Sequence, residues 1–147
     1  MSKAAIYAAN TSPVTINLTA QQPTATLPLG TTVRRFGRTC CENILELSGN
    51  GILARDSGYY YVDASAVITP AVAGVYTVSL FQDGQPVQGA LRSITATAGV
   101  TIAFNIPAIV RTRCDCGAST LTLVLSKTGA DAAAVVINNT AAVIVKI

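Results

Sequence analysis

The sequence predicts an all-β protein, an antiparallel sandwich built from short strands. Three observations lead there. Val, Ile and Thr make up about 30% of the 147 residues, and β-branched side chains suit a pleated, half-buried surface better than a helix. Ala is abundant but scattered among Thr, Val and Gly, and Leu, Glu and Lys nowhere recur at a helical period, so no amphipathic helix is expected. Turn-forming residues punctuate the chain often enough to leave room only for strands between them.

The elements follow in order. Residues 1–30 are nearly uncharged and rich in Thr, Ala, Gln and Pro. Apolar residues alternate weakly through Val14, Ile16 and Leu18, while Pro13, Pro23 and Pro28 would interrupt a central strand. The segment therefore reads as an extended arm, an anchor or an exchanged strand, ahead of a single domain over 31–147. A strand over Thr31–Phe36 runs into the loop Gly37-Arg38-Thr39-Cys40-Cys41. Ile44–Leu47 and Gly51–Ala54 flank the turn-forming cluster Ser48-Gly49-Asn50. Ser57-Gly58 opens a long strand, Tyr59–Thr69, that Pro70 stops.

In Val75–Gln82 the side chains of Val75, Thr77, Ser79 and Phe81 face one way and those of Tyr76, Val78 and Leu80 the other. Asp83-Gly84 is a hairpin signal, because both central residues of that turn need positive φ. The return strand covers Val87–Thr97. Ala98-Gly99 turns the chain into Val100–Val110, and Arg111–Gly117 forms a loop. Leu121, Leu123 and Leu125 against Thr120, Thr122 and Val124 mark a half-buried strand. The closing AAAVVINNTAAVIVKI reads as strand, with Asn138-Asn139 as a bulge or a turn between two pieces.

Composition narrows the function. Half of the chain is apolar and only 12% is charged, against about a quarter in ordinary soluble domains. No segment reaches the roughly 18 apolar residues of a membrane span. A chain of this kind is expected to bury surface against other copies of itself. The lack of His removes the commonest general base, metal ligand and pH switch together. No paired carboxylates, phosphate loop or Ser-His-Asp set is visible, so an enzyme is not expected. The first residues hold no unbroken apolar stretch of signal-peptide length, and synthesis in a reducing cytoplasm is the expectation.

The cysteines fall in two groups, Cys40-Cys41 and Cys114-Asp115-Cys116. If Ser48-Gly49-Asn50 is a hairpin turn, counting strand reversals puts both groups at one end of the sandwich; if Ile44–Ala54 is continuous, they fall at opposite ends. The first arrangement permits a tetrathiolate metal site, disulfides formed after release into an oxidising environment, or free thiols packed as small apolar groups. Adjacent cysteines chelate a single zinc ion poorly, so structural zinc is the weakest of these, and no cofactor is expected. Catalysis by the thiols lacks a His partner.

Half of the 10 basic residues surround those cysteines: Arg34, Arg35 and Arg38 before the first group, Arg111 and Arg113 before the second. They form either a basic docking patch for an acidic surface or a set of arginines paired with Glu42, Glu46, Asp56 and Asp115. A net charge of +3 without interleaved aromatics does not support nucleic-acid binding. Tyr59, Tyr60 and Tyr61 form the single aromatic run. Alternation sends Tyr59 and Tyr61 to one face and Tyr60 to the other, as a stacking platform for sugar rings or as core on one side and subunit interface on the other. Asp83 reads as a turn residue, since no neighbouring acids supply the oxygens calcium takes. Asp63 and Asp131 are isolated acids.

GYYYVDASAVITP, then VSLFQDGQPVQGA, then a long strand and an apolar C-terminal strand resemble the trimeric jelly roll shared by tumour necrosis factor and the globular head of complement. The likeness covers about Ile44–Ile147 and implies an antiparallel jelly-roll sandwich assembling as a homotrimer. A narrower resemblance is to small proteins of phages and prophages of Gram-positive bacteria, carried by RRFG at Arg34–Gly37, GYYYVDAS at Gly58–Ser65 and IVRTRCDCGASTLTLVL at Ile109–Leu125. It implies a non-enzymatic virion accessory of the capsid-decoration or head-fibre type. The partners it implies are the chain itself, a capsid or other virion protein and a host-surface glycan, with no nucleic acid and no membrane. A lectin-like module for host glycans and a spore-surface protein of the exosporium kind are the alternatives, although the latter usually follows Gly-X-Y triplets that this chain lacks.

Overall fold

Buried and exposed side chains alternate along almost every long strand, and that alternation builds a two-layered sandwich. Along Gly58–Pro70, for example, Tyr60, Val62, Ala64, Ala66 and Ile68 point inward. The computed structural model describes residues 3–38, 42–113, 117–129 and 131–147. Twelve strands are present among them: β1 (Ala5–Asn10), β2 (Val14–Leu18), β3 (Thr24–Thr26), β4 (Thr31–Phe36), β5 (Leu45–Ser48), β6 (Gly51–Ala54), β7 (Gly58–Pro70), β8 (Gly74–Gln82), β9 (Gln85–Ala96), β10 (Ile102–Thr112), β11 (Ser119–Lys127) and β12 (Ala133–Lys146).

The first sheet runs β10-β7-β12-β1-β4, with β2 also paired to β12. The second runs β5-β6-β11-β8-β9, with β3 also paired to β11. Every strand pairing among the described residues is antiparallel. Between the sheets lies one apolar core, including Ile6, Leu27, Leu29, Ile52, Ile106, Leu121 and Ile144. Its two largest buried side chains, Tyr60 and Tyr76, keep their hydroxyls satisfied: they donate to the carbonyls of Asp56 at 2.8 Å and Val72 at 2.6 Å. A buried phenol tolerates an apolar surrounding only with such a partner.

Local turn chemistry acts where it is written. Asp83 and Gly84 have φ of 52° and 80°, the two positive values of a type I′ turn, and the Asp83 carboxylate accepts from Thr120 N at 2.8 Å. Ser48 pairs with Gly51, so Ser48-Gly49-Asn50 is a hairpin turn and not the middle of a strand. Asn138 is a bulge inside one continuous strand: the β12–β7 register shifts between Ile137 and Asn139, and the Asn138 amide donates to Thr69 Oγ1 at 2.7 Å.

The first thirty residues require a correction. Extended they are, but β1 lies between β12 and β4, with Ala4, Ile6 and Ala8 in the core. β2 and β3 add to the two sheets, and the Thr140 hydroxyl donates to the Pro28 carbonyl. The boundary at residue 30 therefore separates no two bodies within the chain. Pro13, Pro23 and Pro28 sit between strands, where their missing N–H groups interrupt no ladder.

Candidate assembly face

The outward face of the first sheet carries apolar and aromatic side chains across its full width. Register aligns Ile109, Tyr61, Val145, Ala5 and Phe36 in one transverse row across β10, β7, β12, β1 and β4. Four steps of about 4.8 Å make that row about 19 Å long. Pro107, Asp63, Val143, Tyr7 and Arg34 form the adjacent row, and Tyr59 and Ile147 extend the apolar region toward the chain's C-terminus. Ile109 is 61% exposed, Phe36 59%, Ile147 58% and Tyr59 51%. With Tyr61 and Tyr7, these side chains present on the order of 600 Å² of mostly apolar surface, the upper end for a monomer's largest patch.

Relief on the face is uneven. The bulky rows form a ridge, and next to it small side chains leave a hollow of about 420 Å³ lined by Asp63, Ser65, Val67, Ala103, Asn105, Ala141 and Val143. Asp63 is the acid beside both. At the edge, all six residues of β4 are exposed, including Val33. The opposite side of the sandwich differs in kind. Thr77, Ser79, Thr120, Thr122 and Ser126 alternate with core residues there, and the Thr77 and Ser93 hydroxyls hydrogen-bond at 2.7 Å.

No family model matches this chain, and no curated protein matches it in sequence. Solved structures match it in shape. Murine APRIL at pH 5.0 superposes with a TM-score of 0.68 at 11% identity, covering 99% of each chain. PRD1 vertex protein P5 gives 0.61 at 15% identity over 97% of this chain and 72% of its own. Eiger TNF from S. frugiperda gives 0.53 at 14% identity over 99% and 92%. The fold is a tumour-necrosis-factor-like jelly roll.

Within the jelly roll, the tyrosine run divides by alternation: Tyr60 is in the core, and Tyr59 and Tyr61 stand on the outward face of the first sheet. Arg111 lies over the Tyr59 ring, 5.6 Å from guanidinium carbon to centroid, a cation–π contact at an exposed site. The arginines do not converge within one chain. Arg34 and Arg35 are on β4 and Arg111 is on β10, at opposite edges of the first sheet, about 19 Å apart by strand count. Arg34 shares a face with Tyr7, whereas Arg35 pairs with Ile6 and points the other way. Arg38 forms an isolated bridge to Asn43, and Arg113 follows the end of β10.

Of the acids expected as their partners, Asp115 lies outside the described residues, and the other three each contact a cation from elsewhere in the chain. Glu42 and Glu46 contact Arg55 at 3.4 and 2.6 Å, and Asp56 pairs with Lys146. Cys40, Cys41, Cys114 and Cys116 lie outside the described residues. Their described flanks share one end of the jelly roll, because Ala54 pairs with both Leu45 and Ser119 while Thr112 pairs with Gly58. Ile109, Phe36, Tyr7 and Ile147 were not singled out by sequence. The available signal was that Tyr59, Tyr61, Val143 and Val145 are apolar or aromatic on the side of their strands opposite the core.

Proposed function

We propose that this chain is a non-enzymatic structural protein of a phage virion, a homotrimeric surface module that attaches or stabilises without turnover. The observation that carries the reading is the outward face of the first sheet. An apolar row from edge to edge needs a cover, and a second copy supplies one of matching chemistry. Its ridge fits beside its hollow, and its two edges carry Arg34 and Arg111 while Asp63 sits inside. A two-fold contact centred on the face would bring two Asp63 carboxylates together, whereas a cyclic head-to-tail contact carries an edge arginine to each. Likeness to a virion vertex protein supports the location on a particle. Three weak contacts from one rigid head would then raise residence far above a single contact.

Sedimentation equilibrium tests the assembly, with three times 15.1 kDa expected. A stable monomer at micromolar concentration overturns it. Imaging of particles from the source with this protein labelled tests the location: label on the particle surface is expected, and its absence from purified particles overturns the virion reading.

A further inference from the structure

On the second sheet, away from the assembly face, β3 lies beside β11 and, with the Thr19–Gln22 turn that precedes it, borders the outward side of β11 and the end of β8. They enclose an open groove of about 680 Å³, within the usual range of ligand pockets. From this groove we infer a binding site for a neutral saccharide.

The lining chemistry selects that class. Thr24, Thr26 and Thr122 contribute hydroxyls, Asn17 and Gln22 contribute amides, and Phe81 contributes a ring. Those hydroxyls and amides have no hydrogen-bond partner among the described residues, so their donors and acceptors are available to a ligand. Both groups donate and accept, as sugar hydroxyls do. Phe81 pairs across the ladder with Thr122 and is half-buried, which sets an apolar ring beside a hydroxyl. That combination fits a pyranose, whose C–H face packs on a ring while its equatorial hydroxyls reach sideways.

Other classes fit less well. Among the described residues no ionisable side chain lines the groove, so an anionic polymer, a nucleic acid or a cation meets no counter-charge from them. β11, the floor, is hydrogen-bonded on both sides, to β8 and to β3, and offers no open ladder to a peptide strand. Five polar side chains are too many for a lipid tail. The register behind the site is also specific. β6 pairs with β11 as far as Thr122 and β3 takes over from Val124 to Ser126, so the outward side chains of Thr122 and Val124 form the floor where one neighbour gives way to the other.

The groove gives the attachment part of the proposed function a ligand class, and it stands without assembly because one chain supplies every lining residue. The test is an amide chemical-shift titration of the full chain with maltohexaose, cellohexaose and chitohexaose as neutral probes and hexagalacturonate as the anionic one. Saturable shifts at Thr24, Ala25, Thr26, Gly84 and Thr122 with at least one neutral probe are expected, at a Kd on the order of 1 mM for a single shallow site. Gln22→Ala with Thr26→Val, both exposed, is expected to weaken that binding about 10-fold and leave the rest of the spectrum in place. Phe81→Leu is expected to weaken it by a similar factor. No saturable shift with any neutral probe, shifts centred on Tyr59 and Tyr61, or unchanged affinity in the double variant overturns the inference. The titration reads each copy separately, so its failure leaves the assembly reading intact, and a monomeric chain that binds leaves this one intact.

Discussion

Removing Asp56 is expected to destabilise the protein more than removing its partner Lys146. The two side chains meet where three elements converge. Lys146 is the last residue of β12, Asp56 follows β6, and the Asp56 carbonyl accepts from both Tyr60 Oη and Thr112 Oγ1 at 2.8 Å. The Lys146 side chain crosses Gly58, where an added Cβ would lie 3.1 Å from Lys Cε. Burial is lopsided: the Lys146 side chain is 7% exposed and that of Asp56 34%. Breaking a buried pair by deleting one member costs about 3–5 kcal/mol when the survivor stays dry. Asp56→Asn leaves an ammonium out of water with only an amide oxygen to accept from it, and discounting for the exposure of Asp56 puts the loss at about 2–3 kcal/mol.

Lys146→Met leaves a carboxylate that water already reaches and keeps an unbranched chain over Gly58, for a loss of about 1 kcal/mol. In the double variant no ammonium remains to be stranded, so its loss should match that of Lys146→Met to within about 0.5 kcal/mol. Urea unfolding of the four proteins at one protomer concentration measures this cycle, with the m-value unchanged throughout. Additive single losses, or Lys146→Met costing more than Asp56→Asn, would refute the reasoning.

Burial raises the Tyr76 phenol above its ordinary value of 10.0. The stabilisation linked to the neutral phenol is complete below pH 10 and is lost as pH rises from there through the folded-state value. Tyr76→Phe should flatten that alkaline loss while lowering stability near neutrality by about 1 kcal/mol, the worth of its bond to Val72; equal alkaline slopes in urea unfolding would count against it. Gly30 has φ of 69°, and an added Cβ would lie 2.2 Å from the Ala9 carbonyl oxygen, whereas Gly49 at 58° has open space around it. Gly30→Ala should therefore lose about 3 kcal/mol, near 10 °C in Tm, and Gly49→Ala only about 1 kcal/mol; similar Tm values for the two would contradict that account. Ile109→Asp replaces about 110 Å² of exposed apolar surface on an edge strand. It should weaken self-association at least 100-fold in sedimentation with less than about 1 kcal/mol lost from the isolated fold, and a trimer that persists at micromolar concentration would show that this face is not the contact.

Where local chemistry governs, the sequence determined the outcome by itself. Asp83-Gly84 turns because those two residues tolerate positive φ, Tyr60 parts from its neighbours because side chains alternate along a strand, and Asn138 bulges. The strand over Thr31–Phe36 begins and ends as its composition implies. Each of these depends on residues within a few positions of one another.

Only the tertiary structure decided what depends on pairing between distant segments. Each arginine group sits beside a cysteine pair in the chain, yet β7, β12 and β1 lie between β10 and β4 and hold Arg111 a sheet's width from Arg34 and Arg35. Ala5–Asn10 carries too little apolar contrast to declare itself a strand. Its place comes from the ladders it forms with β12 and β4, which satisfy its backbone and bury Ile6. Period-two alternation likewise divides a strand into two faces without saying which is inner. Along β12, and at the Tyr59–Tyr61 end of β7, both faces carry apolar or aromatic side chains, and the choice falls to the second sheet, which covers one and leaves the row from Ile109 to Phe36 exposed.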